Sequence, residues 1–248
     1  GIKTQDAEKT FALQEELAQA FSDIQASNLP KKKLPYSIPD EYKNLPKLLG
    51  RATVEMVLET KGPSGKGFEY PDLHKNPQET FTIVVDGYTH PLTAGNFVDL
   101  VDKKFYDNTL LKAEELIVQT LKTEGYKNKD GEVRTIPLEL FYKMDNEPTY
   151  GITSDDENRA LDTQKLPFQA FGALGMARGN DDVDSGSADW FFLKWTQPLV
   201  PPGRNTLDGY YSCFGYIVSD NQDLLKQMGK GDKIVSARVI SGLDNLER

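Results

Sequence analysis

Histidine and cysteine, the side chains that most often serve as general bases, nucleophiles and soft metal ligands, are scarce here. The 248-residue chain holds two histidines and one cysteine. His74 lies in a polar loop and His90 immediately precedes Pro91. A catalytic triad or a metal site needs several such groups to converge, and two separated histidines do not supply one. Cys213 sits in the apolar run Tyr211-Ser212-Cys213-Phe214-Gly215. A single cysteine excludes an internal disulfide and a multi-cysteine zinc site, so it reads as a buried, inert thiol. Asp181, Asp182 and Asp184 with Gly186 have some of the spacing of a calcium loop but lack its closing Glu, and a solvated acidic loop is the simpler reading. Gly229-Lys230-Gly231-Asp232-Lys233 lacks the spacing of a phosphate-binding loop and reads as a turn. No cofactor is implied.

The formal net charge is −9, and Lys31 to Lys33 is the one short basic run. Nucleic-acid binding needs a positive footprint, and this balance points the other way. No apolar stretch reaches the roughly 18–20 residues that span a bilayer, so a soluble chain is expected. The N-terminal Gly1-Ile2-Lys3-Thr4 resembles neither a signal nor a transit peptide and is compatible with a mature end.

Three stretches differ in texture. From Asp6 to Ser27, Leu13, Leu17, Ala20, Phe21 and Ile24 recur at helical spacing, which predicts an amphipathic helix whose stripe must pack on the chain or on a partner. A Pro-rich linker follows over 29–50, with Pro30, Pro35, Pro39 and Pro46 favouring extended backbone. From Arg51 to the end, short β-like runs dominate: 53–58, 81–85, 116–119, 136–140, 172–176, 190–193, 213–218 and 233–240. Two helices are expected among them, 91–101 with Thr93 as its cap, and 221–228 ending at Gly229. Many short strands and few helices predict a mainly β fold, a closed antiparallel barrel. The organisation expected is therefore a helix over 1–28, a linker over 29–50 and a barrel domain over 51–248. A polar, acidic insertion runs from Tyr142 to Gln164.

Within the barrel region Thr93-Ala94-Gly95-Asn96-Phe97, Phe105-Tyr106-Asp107, Ile117-Val118-Gln119, Gly172-Ala173-Leu174-Gly175-Met176-Ala177, Ser185-Gly186-Ser187 with Phe191-Phe192, and Leu207-Asp208-Gly209 with Phe214-Gly215 follow one another. These motifs in this order resemble the cyclophilins. Gly50-Arg51-Ala52-Thr53-Val54-Glu55-Met56, Asp86-Gly87-Tyr88 and Ser241-Gly242-Leu243-Asp244-Asn245-Leu246 resemble, more particularly, the multidomain cyclophilins of the thylakoid lumen. Those proteins are linked to photosystem II assembly and maintenance.

The resemblance implies a prolyl-isomerase groove, carried over position by position. Lys112 stands where the family's catalytic arginine is found, counting back from Gln119. Gln119, Ala177, Phe191 and Leu207 match the family's groove, and Ile117 keeps an apolar side chain. Leu116 replaces an aromatic residue, Arg178 an asparagine, Thr206 a tryptophan and Tyr211 a histidine. Rotation about an X–Pro bond crosses a barrier of roughly 20 kcal/mol, and a donor aimed at the twisted amide lowers it. Lysine keeps the charge of arginine but not its planar fork. Lys112 is thus either a weakened donor or a solvated charge, and Leu116, Ile117 and Phe191 either a working pocket or barrel packing. A groove of this kind can still hold an extended, proline-containing peptide. The function expected from the resemblance is a lumenal protein that binds photosystem II or its assembly intermediates with weak or no isomerase activity. An active isomerase and a permanent structural subunit of a photosynthetic complex are the alternatives.

Overall fold

Alternation of apolar and polar residues builds most of the molecule. The computed structural model describes residues 32–60, 78–194, 207–219, 222–229 and 231–248, together with Leu13 and Leu17. In β2 (Arg51–Glu59) every second residue is buried, so Ala52, Val54, Met56 and Leu58 point inward, and β3 (Gln78–Asp86) matches it with Phe81, Ile83 and Val85. Preceding them is β1 (Lys47–Leu48). The later barrel strands are β4 (Thr109–Ala113), β5 (Ile117–Thr120), β10 (Ala173–Met176), β11 (Trp190–Leu193), β12 (Cys213–Ile217) and β13 (Lys233–Ser241). Between β5 and β10 lie two small antiparallel pairs, β6 (Tyr126–Lys127) with β7 (Val133–Arg134), and β8 (Glu139–Leu140) with β9 (Thr149–Tyr150). A last short strand, β14 (Leu246–Glu247), pairs with β1.

Eight of these strands close into one antiparallel barrel in the order β10-β11-β5-β4-β13-β2-β3-β12. Closure removes every exposed edge from the sheet. The interior is packed with Met56, Phe81, Val118, Leu174, Trp190, Phe192 and Phe214. The expected mainly β, closed antiparallel barrel is present, and the strand over 109–113 is one that periodicity did not reveal.

One α-helix of the described residues, α1 (Pro91–Asp102), closes an end of the barrel, with the residues from Pro91 to Val101 all buried. The second helix expected over 221–228 is instead a short 3-10 turn, Gln222–Lys226. The expected capping residue also differs. His90 is the N-cap, and Thr93 lies inside the first turn with Pro91 ahead of it. The orphan N–H groups of Leu92 and Thr93 donate instead to the buried carboxylate of Glu139, at 3.0 and 2.7 Å, and the Thr93 hydroxyl adds a third bond at 2.6 Å. At the other end of the helix, buried Asp99 receives Lys103, Arg134 and Arg248. Burial raises the Asp99 carboxyl, but the bonds from those three cations outweigh it and hold the group below its ordinary value.

From residue 32 the expected linker lies along the barrel. Leu34 and Leu48 are buried, the Tyr36 hydroxyl donates to the Tyr88 carbonyl at 2.8 Å, and the Tyr36 ring meets Phe141 edge-on. The expected helix over 6–27 falls outside the described residues except for Leu13 and Leu17, which are helical and exposed.

Glu139 and His90 tie stability to pH in opposite senses. Burial pushes the Glu139 carboxyl from 4.5 up to about 7, against the pull of its donors. An acid raised on folding stabilises fully below its unfolded value of 4.5, and that contribution is lost as pH rises through about 7. Burial lowers His90 from 6.5 to about 3, so its contribution is full above 6.5 and is lost as pH falls. Between 4.5 and 6.5 the two slopes oppose each other. Thermal unfolding from about pH 8 to about pH 5 is therefore expected to show little acid loss for the native chain, while Glu139→Gln loses roughly 1 kcal/mol per pH unit below about pH 6.5. Equal acid sensitivity in both proteins would refute this assignment.

Candidate active-site groove

Strands β10 and β11 are buried on both faces, and the outward face carries the groove. Directly opposed residues of an antiparallel sheet share a face. Phe191 lies opposite Gln119, and Gln119 lies opposite Lys112, so these three form one row across β11, β5 and β4. Gly175 and Cys213 extend the row through β10 and β12. Around it Phe168, Ala173, Phe191, Leu193 and Cys213 make a second apolar cluster outside the barrel, with Ile117, Ala177, Leu207 and Tyr211 packed on it. Burial pushes the Cys213 thiol up to about 12, which leaves it inert as a nucleophile.

Five expected groove residues, Ile117, Ala177, Phe191, Leu207 and Tyr211, therefore meet in one cluster, and Gln119 flanks it. Leu116 does not join them; it is exposed at the β4–β5 turn, where its carbonyl accepts the Lys194 N–H at 2.7 Å. Thr206 lies outside the described residues. Lys112, the expected donor, lies directly opposite Gln119, but its side chain is 57 % exposed and its ammonium pairs with Glu114 on the same hairpin. An exposed pair of this kind contributes little energy.

Phe168 and Gly175 carry the floor and were not anticipated. Phe168 is 1 % exposed and stacks on Phe191, ring centroids 5.6 Å apart and planes 15° from parallel. A Cβ at Gly175 would lie 2.5 Å from Phe191 Cζ and 2.7 Å from the Phe168 ring, so only glycine leaves room for the stack. The Phe168 N–H donates to Asp208 at 2.7 Å, and the Tyr216 hydroxyl donates to the Pro167 carbonyl at 2.7 Å. The apolar triplet Leu166-Pro167-Phe168, directly after an acidic insertion, was the available sequence signal.

The wall opposite is the turn that carries Leu207 and Tyr211. Tyr211 meets Phe191 edge-on at 5.6 Å. The acidic insertion braces this turn: the Gly209 carbonyl accepts the Ser154 N–H at 2.9 Å, and the Tyr210 hydroxyl donates to Asp155. Gly209 has φ +84°, and a Cβ there would strike Ser154. Arg159, held by Asp145 and stacked over Tyr142, in turn fixes the insertion.

Two clefts adjoin the cluster. One, of about 280 Å³, is lined by Gln119, Lys122, Ala177, Arg178, Ser185 and Asp189 among others. The second, of about 470 Å³, is lined by Arg178, Asn180, Tyr210 and Tyr211. Asp189 is half-buried, and burial raises its carboxyl although Lys122 N–H and Thr120 Oγ1 donate to it. Asp182 and Asp184 accept backbone N–H groups of Asp184 and Leu138, a turn-building use of the expected acidic loop.

Closed barrel, outward aromatic floor and the Gln119 row agree with the comparison of the sequence against known families. A profile described as cyclophilin type peptidyl-prolyl cis-trans isomerase/CLD matches residues 70–245. The chain belongs to the cyclophilin family. It is 41% identical over 252 aligned positions to a protein of Synechocystis sp. (strain ATCC 27184 / PCC 6803 / Kazusa) named as a thylakoid lumen peptidyl-prolyl cis-trans isomerase, covering 99% of this chain and 61% of that one. It is 40% identical to the chloroplastic peptidyl-prolyl cis-trans isomerase CYP38 of Arabidopsis thaliana, covering 86% of this chain and 47% of that one. For chloroplastic CYP37 of the same plant the identity is 34%, with 99% and 51% covered. The chain thus spans between 47% and 61% of the length of these relatives. A crystal structure of a cyclophilin type isomerase from Cryptosporidium parvum shares the fold, with TM-score 0.50 at 16% identity over 77% of this chain and 98% of that one. No helix among the described residues is long and apolar enough to cross a membrane.

In this cyclophilin domain the floor depends on the missing Cβ at position 175. Gly175→Ala is expected to destabilise the chain by about 1–3 kcal/mol through overpacking, with a changed near-ultraviolet circular dichroism from the displaced aromatic rings. An unchanged melting temperature and aromatic spectrum would show that the Phe168–Phe191 stack is not the constraint described.

Proposed function

We propose that this chain is a divergent cyclophilin of the thylakoid lumen that holds extended, proline-containing segments of photosystem II proteins or their assembly intermediates and isomerises them weakly or not at all. The observation that carries the reduced activity is the row Phe191–Gln119–Lys112. It retains the apolar floor and the amide, but it ends in an ammonium paired with Glu114 where the family places a guanidinium. A point charge held by a neighbouring carboxylate cannot aim two fixed donors at a twisting amide, and loss of a preorganised donor costs about 10²–10³ in rate. Binding needs only the apolar cluster and backbone groups at its rim. The lumenal setting is supported by the name of the Synechocystis relative and by the chloroplastic names of the two plant relatives. The photosystem II partner is supported by the resemblance to the multidomain lumenal cyclophilins.

A second reading, an active lumenal isomerase, is favoured by one observation: Lys112 does face the groove side of the sheet, directly across from Gln119. A protease-coupled isomerisation assay on a short X–Pro peptide separates the two. The leading reading expects a rate close to the uncatalysed one, raised about tenfold or more by Lys112→Arg, which restores the fork. The second expects fast turnover that Lys112→Ala reduces by a comparable factor, and that result would displace the first reading. For the partner, affinity capture from solubilised thylakoids is expected to recover photosystem II subunits; their absence, with the purified protein folded, would sink that part of the proposal.

A further inference from the structure

Arg178 stands apart from the other arginines of this acidic chain. Arg51, Arg134, Arg159, Arg238 and Arg248 are each bonded to a carboxylate, those of Asp86, Asp99, Asp145, Glu55 and Asp99 respectively. Among the described residues Arg178 alone of the arginines has no carboxylate within ion-pair distance, although acidic residues outnumber basic ones 38 to 29. It is nonetheless held in place. Nε donates to the Tyr210 carbonyl at 2.9 Å, Nη1 donates to the Gly179 carbonyl at 2.9 Å, and the guanidinium lies 5.1 Å from the centre of the Tyr211 ring. Its remaining terminal nitrogen, Nη2, has no hydrogen-bond partner among the described residues.

That nitrogen belongs to the one residue among the described ones that lines both clefts, the one beside Gln119 and the one walled by Asn180, Tyr210 and Tyr211. A half-buried cation already fixed by carbonyls and an aromatic face loses little conformational freedom when it binds a ligand, and no carboxylate among the described residues balances its charge. Asp155, the acidic group bonded to this wall, is engaged by the Tyr210 hydroxyl.

From this we infer that Arg178 is a specificity-determining residue that receives the side-chain carboxylate of an Asp or Glu close to the bound proline. The inference rests on the reading of the groove as a peptide site. The Tyr211 ring spans the two positions, 5.6 Å from Phe191 on one side and 5.1 Å from Arg178 on the other. Those separations place the carboxylate within about three residues of the proline in an extended chain rising about 3.3 Å per residue. The Asn180 side-chain amide at the cleft wall offers further donors, whereas an amide or an apolar ligand group there would leave the cation unbalanced.

The test uses the full chain and fluorescent peptides blocked at both ends, each with one proline and one Glu placed at two or three residues before or after it, beside the matching Gln peptides. At least one Glu peptide is expected to bind about tenfold more tightly than its Gln counterpart at low salt, with the ratio falling as salt is raised. In Arg178→Gln the Glu-to-Gln ratio is expected to collapse to about one, and Arg178→Lys, which keeps charge without the fork, to fall between. Circular dichroism and melting confirm that the variants are folded, and the ratio is read within each protein. If peptides bind with a ratio of about one in the native chain, or if Arg178→Gln keeps the ratio, the carboxylate assignment is overturned while the groove stands. If no proline peptide binds, the peptide-site reading falls and this inference with it.

Discussion

Trp190 and Phe192 fill the barrel interior, so Phe191 and Leu193, alternating with them along β11, must find a second apolar environment outside it. The groove is that environment. A strand with one polar face would need no outer layer; a strand apolar throughout requires one, and the segment 166–168 together with the turn 207–211 provides it. Each exposed aromatic face left to water would cost burial energy of about 25 cal/mol per Å². The outer cluster recovers much of this.

Neither covering segment belongs to the barrel, and each is held by groups distant in sequence. Phe168 is tied to Asp208, and Pro167 to Tyr216. The 207–211 turn is tied to Ser154 and Asp155 of the insertion, itself secured by Arg159. The long acidic insertion therefore acts as a brace for the groove wall. Glu139, just ahead of it, joins the same region to the start of α1 and donates its own N–H to Ser212, next to Tyr211. Helix, insertion and groove wall thus form one connected polar framework around an apolar floor.

Charge is distributed unevenly across that groove. At one end of the row Lys112 is exposed and neutralised by Glu114; outside the row, beside Tyr211, Arg178 is half-buried, held by backbone carbonyls, and has no carboxylate partner among the described residues. An exposed ammonium in a pair contributes little, whereas a fixed guanidinium can discriminate between ligands. The positive charge held by fixed contacts among the described groove residues therefore sits beside Tyr211.

Much of the barrel was legible beforehand, because strand alternation and short apolar runs report local burial. β2, β3, β11, β12 and β13 lie within a few residues of the expected runs, and the motif order points to the family. Periodicity does not reveal the strand at 109–113 because polar Thr109 is buried and apolar Leu110 exposed, and Gln222–Lys226 reads as a helix because propensity does not distinguish one 3-10 turn from a short helix. Long-range partners were beyond reach: Glu139 capping α1 from 46 and 47 positions away, Gly175 yielding space to Phe168, and Ser154 bracing Gly209. Which residues are apolar, and that many short strands with few helices favour a closed barrel, the sequence by itself determined. Which side chain stacks on Phe191, which arginine lacks a carboxylate partner among the described residues and which carboxylate caps the helix, only the tertiary structure decided, because those outcomes depend on distances between segments that local periodicity does not encode.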